Sequence, residues 1–179
     1  MVARDHNYVM PEIVDNQVID IKRGRHPLKE LLATFVPNDT LSGKDSNLVK
    51  ILTGPNASGK SVYLKQVALI VFMAHIGSFV PAESATIGIV THIFTQINSL
   101  DSLEQNTSSF LLALRQINIA LYSSTPMSIV IMDEFGSGTD EIDGLALLAA
   151  VLRSFIDRGP YCPHIFAATH IQRVLKLLP

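Results

Sequence analysis

The sequence holds a single cysteine, Cys162, so no internal disulfide can form, and a reducing compartment suits it. No apolar run approaches the roughly 20 residues of a membrane span. The longest, residues 67–74, falls inside a stretch that reads as helix, so no membrane partner is expected. Charge of either sign is scarce. Fourteen Lys and Arg against 16 Asp and Glu leave a net charge of −2, which carries no basic signature for nucleic acid. Residues 1–7 lack the apolar segment of a signal peptide. There is no internal repeat and no low-complexity tract. What remains is 179 residues, 47% hydrophobic and 17% charged, enough apolar matter to pack about one domain.

The most informative stretch is Gly54-Pro55-Asn56-Ala57-Ser58-Gly59-Lys60-Ser61. It fits G-x-x-x-x-G-K-[ST], a loop that cradles nucleoside triphosphates. The backbone must wrap a polyanion closely enough for successive N–H groups to reach phosphate oxygens, and glycines allow dihedrals that a Cβ forbids. Residues 49–53 before it read as a short buried strand, and residues 61–76 after it as a helix. The helix presents its N-terminus to the same phosphates. Lys60 would reach the β- and γ-phosphates, and the Ser61 hydroxyl would take one position on Mg²⁺.

A second apolar run, residues 129–132, ends in Asp133 and Glu134. Ligands of open α/β sheets bind beyond the carboxyl ends of the strands, where these acids fall. Asp133 would hold the metal, directly or through water, and Glu134 is the natural general base or polariser of an attacking water.

Strand and helix patterns alternate elsewhere too. Residues 18–21 read as a strand followed by a polar turn at 22–27, and residues 38–47 as a mobile loop. Strands are expected between 85 and 97. Residues 108–123 read as a helix capped by Ser108, with Leu111, Leu114, Ile117 and Leu121 on one face. Another helix is expected at 143–158, a buried strand at 164–168 leading to Thr169-His170, and the start of a last helix near the end. This alternation predicts an α/β fold with a mostly parallel central sheet flanked by helices. Residues 1–23 form a lead-in and residues 24–179 the domain.

Gly24-Arg25-His26-Pro27, Thr53-Gly54-Pro55-Asn56, Tyr63-Leu64-Lys65-Gln66, Asp133-Glu134-Phe135-Gly136 and Ala168-Thr169-His170, in that order, resemble the ATPase domain of the MutS family of DNA mismatch-recognition proteins. That family is a branch of the ABC-type P-loop ATPases. Gly77-Ser78-Phe79-Val80-Pro81-Ala82-Glu83, residues 144–153 and residues 158–166 look most like the family's meiotic branch.

The resemblance implies an ATP- and Mg²⁺-dependent ATPase that pairs with a second MutS homologue as a heterodimeric clamp. It would hold mismatched or branched DNA through regions absent from this chain and promote meiotic crossing-over in the nucleus, on chromosomes. It also implies a domain truncated at its C-terminal end. Phe35 matches the aromatic that stacks on adenine, Ser108 the serine that reaches the partner's γ-phosphate, and His170 the histidine that senses γ-phosphate. Ser137 and Asn106 depart from the family pattern, which carries a basic residue and often a glycine there. They leave room for an alternative, an ATP-binding interaction module with little hydrolysis of its own. A transporter cassette would need a Leu-Ser-Gly-Gly-type signature, where this chain has Asn106-Thr107-Ser108-Ser109-Phe110.

Overall fold

β-branched and aromatic residues cluster in short runs that become β2, β4, β6, β7 and β8, while β3 and β5 are built from more polar and small residues. A computed structural model describes residues 2–32, 34–44, 46–97 and 106–178, with the side chains of Val2 and of residues 106–109 left aside. In chain order the elements are α1 (Val2–Asp5), β1 (Glu12–Val14), β2 (Val18–Gly24), β3 (Asn38–Gly43), β4 (Val49–Thr53), α2 (Lys60–His75), β5 (Ser84–Gly88), β6 (His92–Ile97), α3 (Asn106–Ser123), β7 (Ser128–Asp133), α4 (Glu141–Ile156) and β8 (His164–Thr169).

One sheet is wholly parallel, in the order β4-β8-β7-β6. Every residue of β7 and β8 is buried, as near-continuous apolar strands covered on both faces should be. Because side chains alternate, Ile129, Ile131, Phe166 and Ala168 face α2, while Val130, Met132, Ile165 and Ala167 pack in a second core with residues of α3 and α4. Each fully buried Ile or Phe contributes about 1.5–3 kcal/mol. β4 forms one border of this sheet among the described residues, and all five of its residues are only half-buried.

The sequence reading missed the second sheet, β1-β5-β2-β3, which mixes parallel and antiparallel pairs. Its Ile19, Ile21 and Ile87 share one core with α2 and with Ile129, Ile131, Phe166 and Ala168 of the parallel sheet. On α2 itself Leu64, Val67, Ile70 and Val71 recur at helical spacing and are all buried along one stripe.

Four local expectations are corrected. The strand at 18–21 runs on through the predicted turn to Gly24, with an irregularity in register after Ile21 and Arg23 at φ 47. The predicted mobile loop at 38–47 is largely β3, paired antiparallel to β2. Its inward residues are polar but satisfied: Thr40 Oγ1 lies 2.9 Å from the Tyr63 hydroxyl, and Ser42 Oγ lies 2.7 Å from His164 Nδ1. α3 starts at Asn106, so Ser108 sits in its first turn instead of capping it. Its buried face is Ala113, Ile117 and Ala120, flanked by Leu114 and Leu121, while Leu111 is 52% exposed because it lies round the helix from that stripe. Near the end, Gln172–Lys176 is a 3-10 turn, not an α-helix.

Candidate functional site

Parallel pairing sets Thr53 of β4 opposite Thr169 of β8, and Asp133 of β7 opposite Ala168. The carboxyl ends of three neighbouring strands therefore open on one place, and each carries part of the predicted site.

From β4 the chain enters the loop of Gly54-Pro55-Asn56-Ala57-Ser58-Gly59. Two of its residues take left-handed dihedrals, Ala57 at φ 61 and Gly59 at φ 92. A Cβ at Gly59 would touch nothing within 4 Å, so the need for glycine there is one of dihedral, not of space. Gly59 precedes α2 with no side-chain hydrogen bond to the helix's first N–H groups, which leaves that end suited to an anion. Ser61 follows, half-buried.

Lys60 is 9% exposed. Its Nζ donates to the carbonyls of Gly54 (2.8 Å) and Pro55 (2.9 Å), and lies 3.4 Å from Glu134 Oε1. The other carboxylate oxygen, Oε2, accepts from the His170 backbone N–H at 3.2 Å and lies 2.6 Å from His170 Nδ1. Glu134 thus joins a cation from the β4 loop to an imidazole from the end of β8. It does so with φ 54, a left-handed dihedral that costs a non-glycine roughly 1–2 kcal/mol, and its N–H donates to the Ala168 carbonyl at 2.9 Å.

Asp133, one residue earlier, is 5% exposed, and its Oδ1 is buried without a hydrogen-bond partner. An orphaned carboxylate oxygen at the carboxyl end of β7 fits a hard divalent cation such as Mg²⁺. Beyond Glu134 the chain turns at Gly136 (φ 89), whose backbone lies against Gly144 of α4. A Cβ on Gly136 would sit 2.7 Å from the Gly144 carbonyl oxygen, so both glycines permit the close crossing. Asp140 then caps α4 by accepting from the Ile142 N–H at 2.9 Å.

Phe35 is half-buried in a cleft of about 530 Å³ that it shares with Thr53, Gly59, Lys60 and Tyr63. An aromatic ring and the end of the loop at residues 54–59 thus line one cavity, within the size range of small-molecule sites. The backbone places Ser108 in the first turn of α3, and its side chain lies outside the described residues. Cys162 is buried, and burial pushes its thiol pKa up, which suits a spectator.

Sequence reasoning passed over Gln96. It is 2% exposed in β6 and stands opposite Met132, next to the pairing of Ile97 with Asp133. No sequence signal marked it, since β6 is otherwise half-buried or exposed and carries His92 and Thr95 as well.

The family profile for MutS domain V matches residues 50–178, from β4 onward. DNA mismatch repair protein MutS of Acetivibrio thermocellus is 47% identical over 179 residues, covering 98% of this chain and 20% of that protein. DNA mismatch repair protein MutS of Clostridioides difficile is 44% identical over 179 residues, covering 98% of this chain and 19% of that protein. MutS protein homolog 5 of Caenorhabditis elegans is 42% identical over 182 residues, covering 100% of this chain and 13% of that protein. The chain therefore spans about a fifth or less of the length of these curated relatives. The bacterial proteins are as similar as the homolog 5 protein, so similarity alone does not set the meiotic branch apart.

Proposed function

The chain belongs to the MutS family, through domain V, and on that premise we propose that it binds and hydrolyses ATP with Mg²⁺ as an ABC-type P-loop ATPase domain. The observation that carries this reading is the meeting of Lys60, Glu134 and His170 at the ends of adjacent strands.

The loop amides and Lys60 would bind the triphosphate, and Phe35 would stack on the base. Ser61 and Asp133 would hold Mg²⁺, which when bound supplies charge neutralisation at the β- and γ-phosphate oxygens. A γ-phosphate competes with Glu134 for the Lys60 ammonium. As Lys60 turns to the phosphate, Glu134 Oε1 is freed to accept a proton from water, while His170 keeps hold of Oε2. The water oxygen then bonds to the γ-phosphorus, and the bond from phosphorus to the β–γ bridging oxygen breaks. ADP leaves with that electron pair, and the water's proton rests on Glu134. His170 would orient the carboxylate, which its Nδ1 approaches, and would meet charge growing on the γ-phosphate.

The finer reading follows the relatives. The domain would work in a heterodimer with a second MutS homologue, Ser108 reaching the partner's γ-phosphate. Its nucleotide state would drive clamping of mismatched or branched DNA by regions outside this chain. Motifs 77–83, 144–153 and 158–166 favour a role in meiotic crossing-over, in the nucleus and on chromosomes.

One observation favours the alternative, an ATP-binding module with little hydrolysis: both oxygens of Glu134 are engaged, which opposes its use as a base. ATP turnover by the chain and by its Glu134→Gln variant decides. A collapse of turnover with ATP binding kept supports the ATPase, whereas turnover that is negligible in both supports the module.

A further inference from the structure

Phe35 lies between β2 and β3, where the described residues 25–32 and 34–37 have neither α-helix nor strand and little apolar anchorage. Leu28, Leu31, Leu32 and Val36 are 66%, 56%, 79% and 75% exposed. What fixes this segment is polar. Arg25 Nε donates to Glu30 Oε2 at 2.6 Å, and their side chains are only 20% and 11% exposed. With Lys60–Glu134, this is the most enclosed ion pair among the described residues. Arg25 Nη2 also donates to the His6 carbonyl at 2.8 Å and the Asn7 carbonyl at 3.3 Å, and the Tyr8 hydroxyl donates to Glu30 Oε1 at 2.7 Å. Burial, and then Glu30, push the Tyr8 hydroxyl pKa up to about 12, so it stays a donor. Val9 is bonded in turn to Val80, and the Arg25 N–H to the Pro81 carbonyl.

We propose that Arg25, Glu30 and Tyr8 form a positioning clamp that presents Phe35 to the base of the nucleotide, so that residues 6–9 set base affinity without touching the phosphates. This rests on the reading of the cleft as an adenine-nucleotide site. A half-buried charged pair suits the task, because loss of one partner leaves the other charge poorly compensated and frees the segment it held. The hydrogen bonds and ion pair of the clamp involve neither the loop nor Lys60 nor Asp133. Its loss therefore separates base recognition from triphosphate binding, which damage to the whole pocket does not.

The test is calorimetric binding of ATP and of inorganic tripolyphosphate, each with Mg²⁺, to the chain and to Phe35→Ala, Glu30→Ala and Tyr8→Phe. Phe35→Ala and Glu30→Ala should each weaken ATP about tenfold, one lost base–aromatic stack, and leave tripolyphosphate within about twofold. Their double variant should be little worse than either single one. Tyr8→Phe keeps the ion pair and should weaken ATP by about two- to threefold, and it decides the question if Glu30→Ala does not fold. Unchanged ATP affinity in the clamp variants overturns the clamp, as does an equal fall for both ligands. A Phe35→Ala variant with no loss specific to ATP removes the adenine contact and the clamp with it. No ATP binding by the parent chain overturns the proposed function itself.

Discussion

Glu134 Oε2 and His170 Nδ1 lie 2.6 Å apart although 36 residues separate them, because β7 and β8 are paired in parallel and end side by side. Neither residue holds the other by chance of a loop. The Glu134 N–H is bonded to the Ala168 carbonyl, which ties the turn after β7 to the end of β8. Replacing His170 by Ala should leave ATP binding within about threefold and lower turnover by about tenfold or more. Single-turnover hydrolysis beside equilibrium binding measures both.

Substituting Lys60 by Ala should abolish ATP binding at concentrations that saturate the parent chain, since the phosphates lose their buried cation. The ligand-free protein should melt no more than a few degrees away from its parent. Thermal shift with and without Mg-ATP reads both.

Asp133 offers an unusual signature. A buried oxygen without a partner costs about 1–3 kcal/mol, so Asp133→Ala should not destabilise the ligand-free chain by the amount typical of a buried residue. The same variant should lose the Mg²⁺-dependent part of the thermal shift given by ATP. Loss of stability together with an unchanged Mg²⁺ effect would show that Asp133 is only structural.

Acid should unfold the protein through His164. Burial lowers its pKa from 6.5 to about 4, with the ring on Ser42 Oγ. Between those values the unfolded chain binds more protons than the folded one. The stability tied to neutral His164 is therefore complete above about pH 6.5 and is lost as the pH falls to about 4, about 3 kcal/mol in all. His26, whose pKa burial also lowers, acts in the same direction. Denaturant midpoints from pH 7 to pH 4 should fall for the parent chain and fall less for His164→Asn.

The strand–loop–helix passage from β4 through residues 54–59 to α2, and the acid-ended strand β7, were legible in the sequence because glycines punctuate the one and an apolar run ends abruptly in the other. Strands β7 and β8 were legible because burial on both faces demands unbroken apolar runs. β3 was not. Its inward Thr40 and Ser42 look like loop residues until Tyr63 and His164, distant in the chain, are seen to satisfy them. The burial of α3 misled for another reason: the core takes Ala113 and Ala120, small enough for a close approach to the sheet, and leaves Leu111 outside. Phe35 entered by resemblance, and only the fold brings it into the cleft beside Lys60.

The strand that leads into the loop at residues 54–59 borders its sheet among the described residues and is half-buried along its length, whereas the strands that lead to Glu134 and His170 are buried throughout. The site therefore has a stiff bank and a compliant one. Acid and imidazole stand on the stiff bank, and the anion cradle rests on the compliant one. Amide hydrogen exchange should be slow along β7 and β8 and faster along β4, with nucleotide slowing chiefly the latter.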